Sequence, residues 1–118
     1  MKSAQEIQDS LGIFTGTEHY YKHLGIMITD GVKYLAESCE AWWLVDLVAS
    51  YQFSSEIKKD EKFQVYGLKV NPDKSAIVEI SDGNNHILMI QEIEYTDFPL
   101  EKIEIWCIDK ICLLPGEY

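Results

Sequence analysis

The sequence predicts an α+β fold, with N-terminal helices packed on one face of a four- or five-stranded antiparallel β-meander, in a single domain spanning residues 1–118. Three observations carry this. Apolar residues recur at helical spacing before residue 53 and at every second position after residue 62. Turns bearing proline, glycine and asparagine divide the second half into strands. Hydrophobic residues make up 47% of the chain and are spread along it, which provides for a core and argues against intrinsic disorder.

Each element follows from its residues. Ser3 and Glu6 have capping-box spacing, and Ile7 with Leu11 forms a short apolar stripe, so residues 3–11 read as a helix stopped near Gly12. TGTEHYYKHLG is ambiguous between turns and a short edge strand in HYYKHL. Asp30 is the expected N-cap of a helix in which Val32, Leu35, Ala36 and Cys39 share one face. WWLVDLVASYQF is then apolar nearly all round, the mark of a helix buried on most sides. Two helices are read, about 30–38 and 40–53, with one bent helix as the alternative. SSEIKKDEK follows as a solvated connector.

In KFQVYGLKV, Phe63 and Val65 hold one parity and Tyr66, Leu68 and Val70 the other. The switch beside Gly67 predicts a β-bulge or kink there. Asn71-Pro72-Asp73-Lys74 and Ser81-Asp82-Gly83-Asn84 are turns flanking the strand SAIVEI. HILMIQEIEY and KIEIWCIDKI supply two more strands, separated by Thr96-Asp97-Phe98-Pro99, and LLPGEY forms a tail. Ile87, Met89, Ile93 and Tyr95, with Ile103, Ile105 and Cys107, are the rows expected to meet the helix. Leu88, Ile90, Trp106 and Ile108 point the other way, so the second face needs cover from the N-terminal segment, the tail or a second subunit.

Charge narrows the function classes. Twenty acids face ten bases, every base is lysine, and the net charge is −10. Without arginine, and with a field that repels polyanions, direct nucleic-acid binding and adhesion to an anionic membrane are both disfavoured. No apolar run approaches the roughly 20 residues that span a bilayer. The start, MKSAQEIQDS, has no apolar signal region, so the chain is expected in the cytoplasm. Cys39, Cys107 and Cys112, odd in number and dispersed, read as small core residues in a reducing compartment.

TEHYYKH, TDGVKYLAE, AWWLVDLVASYQ, TDFPLEKIEI and LLPGEY together resemble a family of small uncharacterised bacterial proteins, a domain of unknown function found in cyanobacteria and mobile elements. The resemblance runs from about Phe14 to the C-terminus. It implies a single domain of bacterial or phage origin, and it implies no activity, ligand or catalytic residue.

Three constellations are candidate sites. Glu18-His19-xxx-His23 has the spacing of a metal motif on a helix, but on a strand the histidines stand roughly 13 Å apart, too far for one ion. They are therefore weak candidates, and no metal or other cofactor is called for. Cys107 and Cys112, five apart on one expected strand, should face opposite sides. Between residues 79 and 104 seven acids stand against Lys102 alone, and Glu92, Glu94, Glu101 and Glu104 are the candidate acidic interaction face. That face reads first as solvated charge that discourages edge pairing, and alternatively as an imitation of a phosphate backbone.

The last constellation is Trp42, Trp43, Asp46 and Ser50, where Asp46 is the one charge inside the apolar helix. One reading makes it a carboxylate in an aromatic-walled pocket; the favoured one makes it an acceptor that ties the helix to a neighbour, with a tryptophan Nε1–H or loop backbone groups as donor. The function these residues support best is a non-enzymatic acidic module that binds protein, with a homodimer as one way to cover the second sheet face. The alternatives are a nucleic-acid-mimicking inhibitor of a DNA-binding protein, and a ligand-binding domain or enzyme built on the Trp42/Trp43/Asp46 pocket.

Overall fold

The computed structural model describes residues 3–55, 57, 62–84 and 86–118. The first helix, α1 (Ala4–Leu11), starts on the expected capping box, Ser3 Oγ accepting from the Glu6 amide. A hairpin follows, β1 (Tyr20–His23) and β2 (Ile26–Thr29), and then α2 (Asp30–Ser38) and α3 (Trp42–Gln52). The remaining strands are β3 (Phe63–Val70), β4 (Ala76–Ser81), β5 (Ile87–Ile93), β6 (Lys102–Ile108) and β7 (Ile111–Leu113), ending in a 3₁₀ turn over Pro115–Glu117.

All seven strands form one sheet in the order β1-β2-β7-β6-β3-β4-β5. The α+β class stands, but a meander of four or five strands does not. Two reversals hide the additional strands, because Leu24 and Gly25 turn the first hairpin, and Asp109 and Lys110 split KIEIWCIDKI into β6 and β7. All four residues have positive φ, which for leucine, aspartate and lysine leaves little trace in sequence. The sheet is also mixed: β2 and β7 run parallel, pairing Met27 with Ile111 and Ile28 with Cys112. Nor does the chain step from neighbour to neighbour, since β6 returns on the far side of β3 from β4 and β5.

The two-helix reading holds. Cys39 closes α2, Glu40 takes φ 51°, and the Ala41 amide reaches back to the Ala36 carbonyl before α3 starts. Thr29, rather than Asp30, is the N-cap of α2, its Oγ1 accepting from the Val32 amide. Of the connector expected between the helices and β3, most lies outside the described residues.

Gly67 is neither bulge nor kink. Register runs without a shift past Gly67 to β4 and to β6, and the irregularity in the sheet lies between Ile80 and Ser81 opposite β5. The apparent change of phase arises because β3 is apolar on both sides. Tyr66 and Leu68 enter the core, while Phe63 and Val65 stand half-buried in the other row.

The helices and the core share one face of the sheet. Val32, Leu35 and Ala36 of α2 and Leu44, Val45, Val48 and Ala49 of α3 pack in one cluster with Tyr66, Leu68, Val78, Ile80, Ile105, Cys107 and Cys112. Burying such side chains contributes about 1.5–3 kcal/mol each for the larger aliphatic and aromatic ones. Met89, Ile93 and Ile103 pack against this cluster as expected. Ile87 and Tyr95 do not, and are exposed; Leu88, placed on the other face, packs against the core beside the register shift.

Candidate functional site

Asp46 does not lie inside a buried helix. Its side chain is 51% exposed, and its Oδ1 lies 2.6 Å from His23 Nε2 on the edge strand β1. The His23 ring in turn lies 5.0 Å from that of Trp42. The acceptor role expected of Asp46 therefore has a partner, but the partner is a histidine rather than a tryptophan or a loop amide. The apolar wheel of α3 misled because its exposed edge is narrow: Asp46 and Ser50 occupy it while Leu44, Val45, Leu47, Val48 and Ala49 are buried.

The four residues of the expected pocket separate. Trp42 and Asp46 meet the first hairpin, and Ser50 Oγ donates to the Leu47 carbonyl at 2.7 Å. Trp43 faces away and lines an open pocket of about 300 Å³ with Glu40, Tyr95, Asp97, Phe98 and Pro99. His19 and His23 also diverge, His19 Nδ1 lying 3.9 Å from Asp30 and His23 bonding Asp46. Among the described residues no group of three or more histidine, cysteine or acidic side chains is placed to hold a metal ion.

Cys107 and Cys112 correct the sequence reading. The reversal at Asp109-Lys110 makes them direct cross-strand partners on the same face, both buried. A hydrogen bond between the two thiols, and then burial, push the Cys112 thiol well above its ordinary pKa, so it is a poor nucleophile. Beneath α3, Gln52 Nε2 donates to Gln64 Oε1 and to the Tyr66 hydroxyl at 2.8 Å each, and the Tyr66 hydroxyl donates to Gln64. Burial foremost keeps the Tyr66 hydroxyl protonated. Among the described residues every buried side-chain nitrogen and oxygen has a partner, so no orphaned polar group points into a cavity.

Three of the distinctive sequence motifs meet at the start of α2. Asp30 accepts from the amides of Glu18 and His19 and from the Tyr21 hydroxyl, at 3.0, 3.4 and 2.8 Å. These bonds, the Glu18 amide foremost, hold its carboxyl below the ordinary aspartate range, while the same carboxylate raises the Tyr21 hydroxyl. On the other side of the turn Glu117 accepts from Thr29 Oγ1, the Gly31 amide and the Leu114 amide. The wording of TEHYYKH, TDGVKYLAE and LLPGEY thus encodes a structural joint.

The face of the sheet opposite the helices is where unassigned chemistry gathers. Phe63, Val65 and Lys69 on β3 share it with Ile77 and Glu79 on β4, Ile90 and Glu92 on β5, and Lys102, Glu104, Trp106 and Ile108 on β6. Tyr118 folds back so that its ring lies 5.4 Å from Trp106 and 6.4 Å from Phe63, so of the three covers the sequence leaves open the tail covers one corner. A shallow groove of about 380 Å³ lies along the centre, between Phe63 and Trp106 at one end and Glu79 and Glu104 beyond them. Of the four acids singled out in sequence, Glu92 and Glu104 stand on this face and Glu94 continues the row of Glu92 past the strand end. Glu101 falls in the row of Ile103 and Ile105 instead. Glu79 also stands on this face, in register with Gly67, and Phe63 and Val65, off the core parity, are the trace of this second apolar row in the sequence.

Among the described residues, the fold is that of an α+β domain whose sheet is layered by helices on one side. Over residues 5–118 the chain matches the family of unknown function DUF6876, and it belongs to that family. No curated protein and no solved structure matches the chain. Among the described residues no helix is long and apolar enough to cross a membrane.

Proposed function

We propose that this domain is a non-enzymatic interaction module that receives a basic protein segment on the uncovered face of its sheet. The observation that carries the reading is the composition of that face. Apolar side chains, among them Ile90 at 50% exposure, alternate with Glu79, Glu92 and Glu104 and with the cross-strand pair Lys69 and Lys102, and Trp106 stands beside the central groove. Exposed apolar surface rimmed by charge marks a contact site. Glu79, Glu92 and Glu104 outnumber Lys69 and Lys102 on this face, so a basic partner complements it better than a second copy of the chain does. The interleaved apolar residues favour a polypeptide with the same alternation over imitation of a phosphate backbone.

The test is a titration of a fluorescently labelled synthetic peptide of alternating lysine and valine against the protein, followed by anisotropy at low and moderate salt. Saturable binding that weakens as salt rises, and that Trp106→Ala removes, is the expected result. Absence of saturable binding, or binding indifferent to Trp106→Ala, would end the proposal. Light scattering that shows a dimer dissolved by Trp106→Ala would instead assign the face to a second copy.

A further inference from the structure

Among the described residues, β1, β2 and β7 join the rest of the sheet through the pairing of β7 with β6. That pairing runs only from Trp106 opposite Leu113 to Ile108 opposite Ile111, and in the middle of it Cys107 faces Cys112. Both thiols are buried and free. The backbone decides which kind of pair they form. Asp109 and Lys110 both have positive φ, so they make a two-residue type I′ turn closed by a hydrogen-bonded pair, Ile108 and Ile111. The next pair along is then of the non-hydrogen-bonded kind, with Cα atoms about 4.5 Å apart and side chains at their closest. Two bonds to the outer neighbours agree. The Asp109 amide donates to the Lys62 carbonyl just before β3, and the alternation of a strand turns the Cys107 amide toward β3 as well. The Met27 amide donates to the Lys110 carbonyl, which turns the Cys112 peptide groups toward β2 in the same way. Neither cysteine directs its peptide groups at the other, and their side chains meet on the core face.

We infer that Cys107 and Cys112 are a reversible oxidation site, which closes as a cross-strand disulfide and locks the junction between the two parts of the sheet. A disulfide needs Cα atoms about 4.4–6.8 Å apart and Cβ atoms about 3.5–4.5 Å apart, and a non-hydrogen-bonded pair offers this with little backbone movement. The step is a pair of thiol–disulfide exchanges with a small disulfide such as glutathione disulfide. One cysteine thiolate attacks the reagent and releases a glutathione thiolate; the other attacks the protein sulfur of the mixed disulfide and releases the second. The pair gives up two electrons and two protons, and two molecules of reduced glutathione carry them away. In the closed junction the thiols touch each other and Cys112 is held protonated, so exchange starts when β7, three residues long, lifts from β6. Once formed, the bridge ties β7 to β6, and with β7 the parallel strand β2 that leans on it. Cys39, buried at the end of α2, lies outside this hairpin and is the internal comparison.

The experiment equilibrates the full chain in buffers of reduced and oxidised glutathione, starting once from the reduced protein and once from protein bridged in urea and refolded. Acid quenching, trypsin and mass spectrometry then read the products. Cleavage after Lys102 and Lys110 separates the two cysteines, so the bridge appears as the peptide 103–110 joined to the peptide 111–118. The expected result is this linked pair in native buffer from both starting points, reversed by dithiothreitol and kept by Cys39→Ala. Its equilibrium constant against glutathione should be about tenfold or more above that in concentrated urea, because the fold holds the sulfurs together. By linkage, the bridged chain should unfold at a higher urea concentration than the reduced one. Thiols that end reduced from both directions, glutathione adducts on Cys107 or Cys112 without the linked peptides, or a bridge to Cys39 in their place would each overturn the assignment. So would an equilibrium constant no higher in native buffer than in urea.

Discussion

Gly31, in the first turn of α2, and Gly67, in the middle of β3, both have backbone conformations that any residue adopts, and their surroundings are opposite. A Cβ at Gly31 would come within 2.5 Å of Glu117 Oε1 and 2.8 Å of Leu114 Cδ1, so the missing side chain is replaced by the tail of the same chain. At Gly67 no atom of the described residues approaches so closely. The contrast separates a glycine against which the tail of the chain packs from one whose side of the sheet has room for a side chain.

The largest effect expected from this contrast is at Gly31. Gly31→Ala should displace the Glu117 carboxylate from Thr29 and the Leu114 amide and destabilise the protein by about 1–3 kcal/mol in urea unfolding. A cost near zero would mean that the tail simply turns aside, and the distinction between the two glycines would fail.

Acid probes the same joint. The Asp30 carboxyl titrates below its ordinary value when folded, so it contributes stability above the unfolded pKa of about 3.9 and loses that contribution as pH falls through the lower folded value. Asp73 and Asp82 are lowered too, by the Ser75 hydroxyl and the Asn84 amide foremost, and share the window. Subtracting the profile of Asp30→Asn from that of the wild type should therefore leave a stability difference that shrinks in acid and is flat at neutral pH. A difference that grows in acid would contradict the assignment.

The smallest effect concerns His23 and Asp46. Their contact is short but half of the Asp46 side chain is open to solvent, so His23→Ala should cost no more than about 1 kcal/mol by thermal unfolding. A much larger loss would show that Asp46 anchors α3 to the first hairpin with the strength of a buried pair.

What could be read from the sequence follows from how local each signal is. The capping box at Ser3, the 3.6-residue periodicity of α2 and the turns at Asn71 and Ser81 are written within a few residues, and all three appear in the structure. Strands β2 and β7 are four and three residues long, and their parallel pairing joins Ile28 to Cys112 across most of the chain, which no local pattern records. The second apolar face was visible in Trp106, Ile108 and Ile90. Its centre was not, because apolar residues on both sides of β3 imitate a slip in phase beside Gly67. Asp46 was misplaced for a related reason: one narrow exposed strip on a helix otherwise rich in leucine, valine and alanine looks like no strip at all.

The clasp between Glu117 and the start of α2 has a consequence for how the protein is made. Chains leave the ribosome N-terminus first, and early segments of a domain commonly fold as they emerge. Here β2 lacks its inner neighbour until residues 111–113 have been added, and Thr29 and Gly31 lack the carboxylate that binds them until residue 117 has been added. The first hairpin and the helix after it are completed only when residues 111–117 are in place, so folding of this domain closes with contacts distant in sequence.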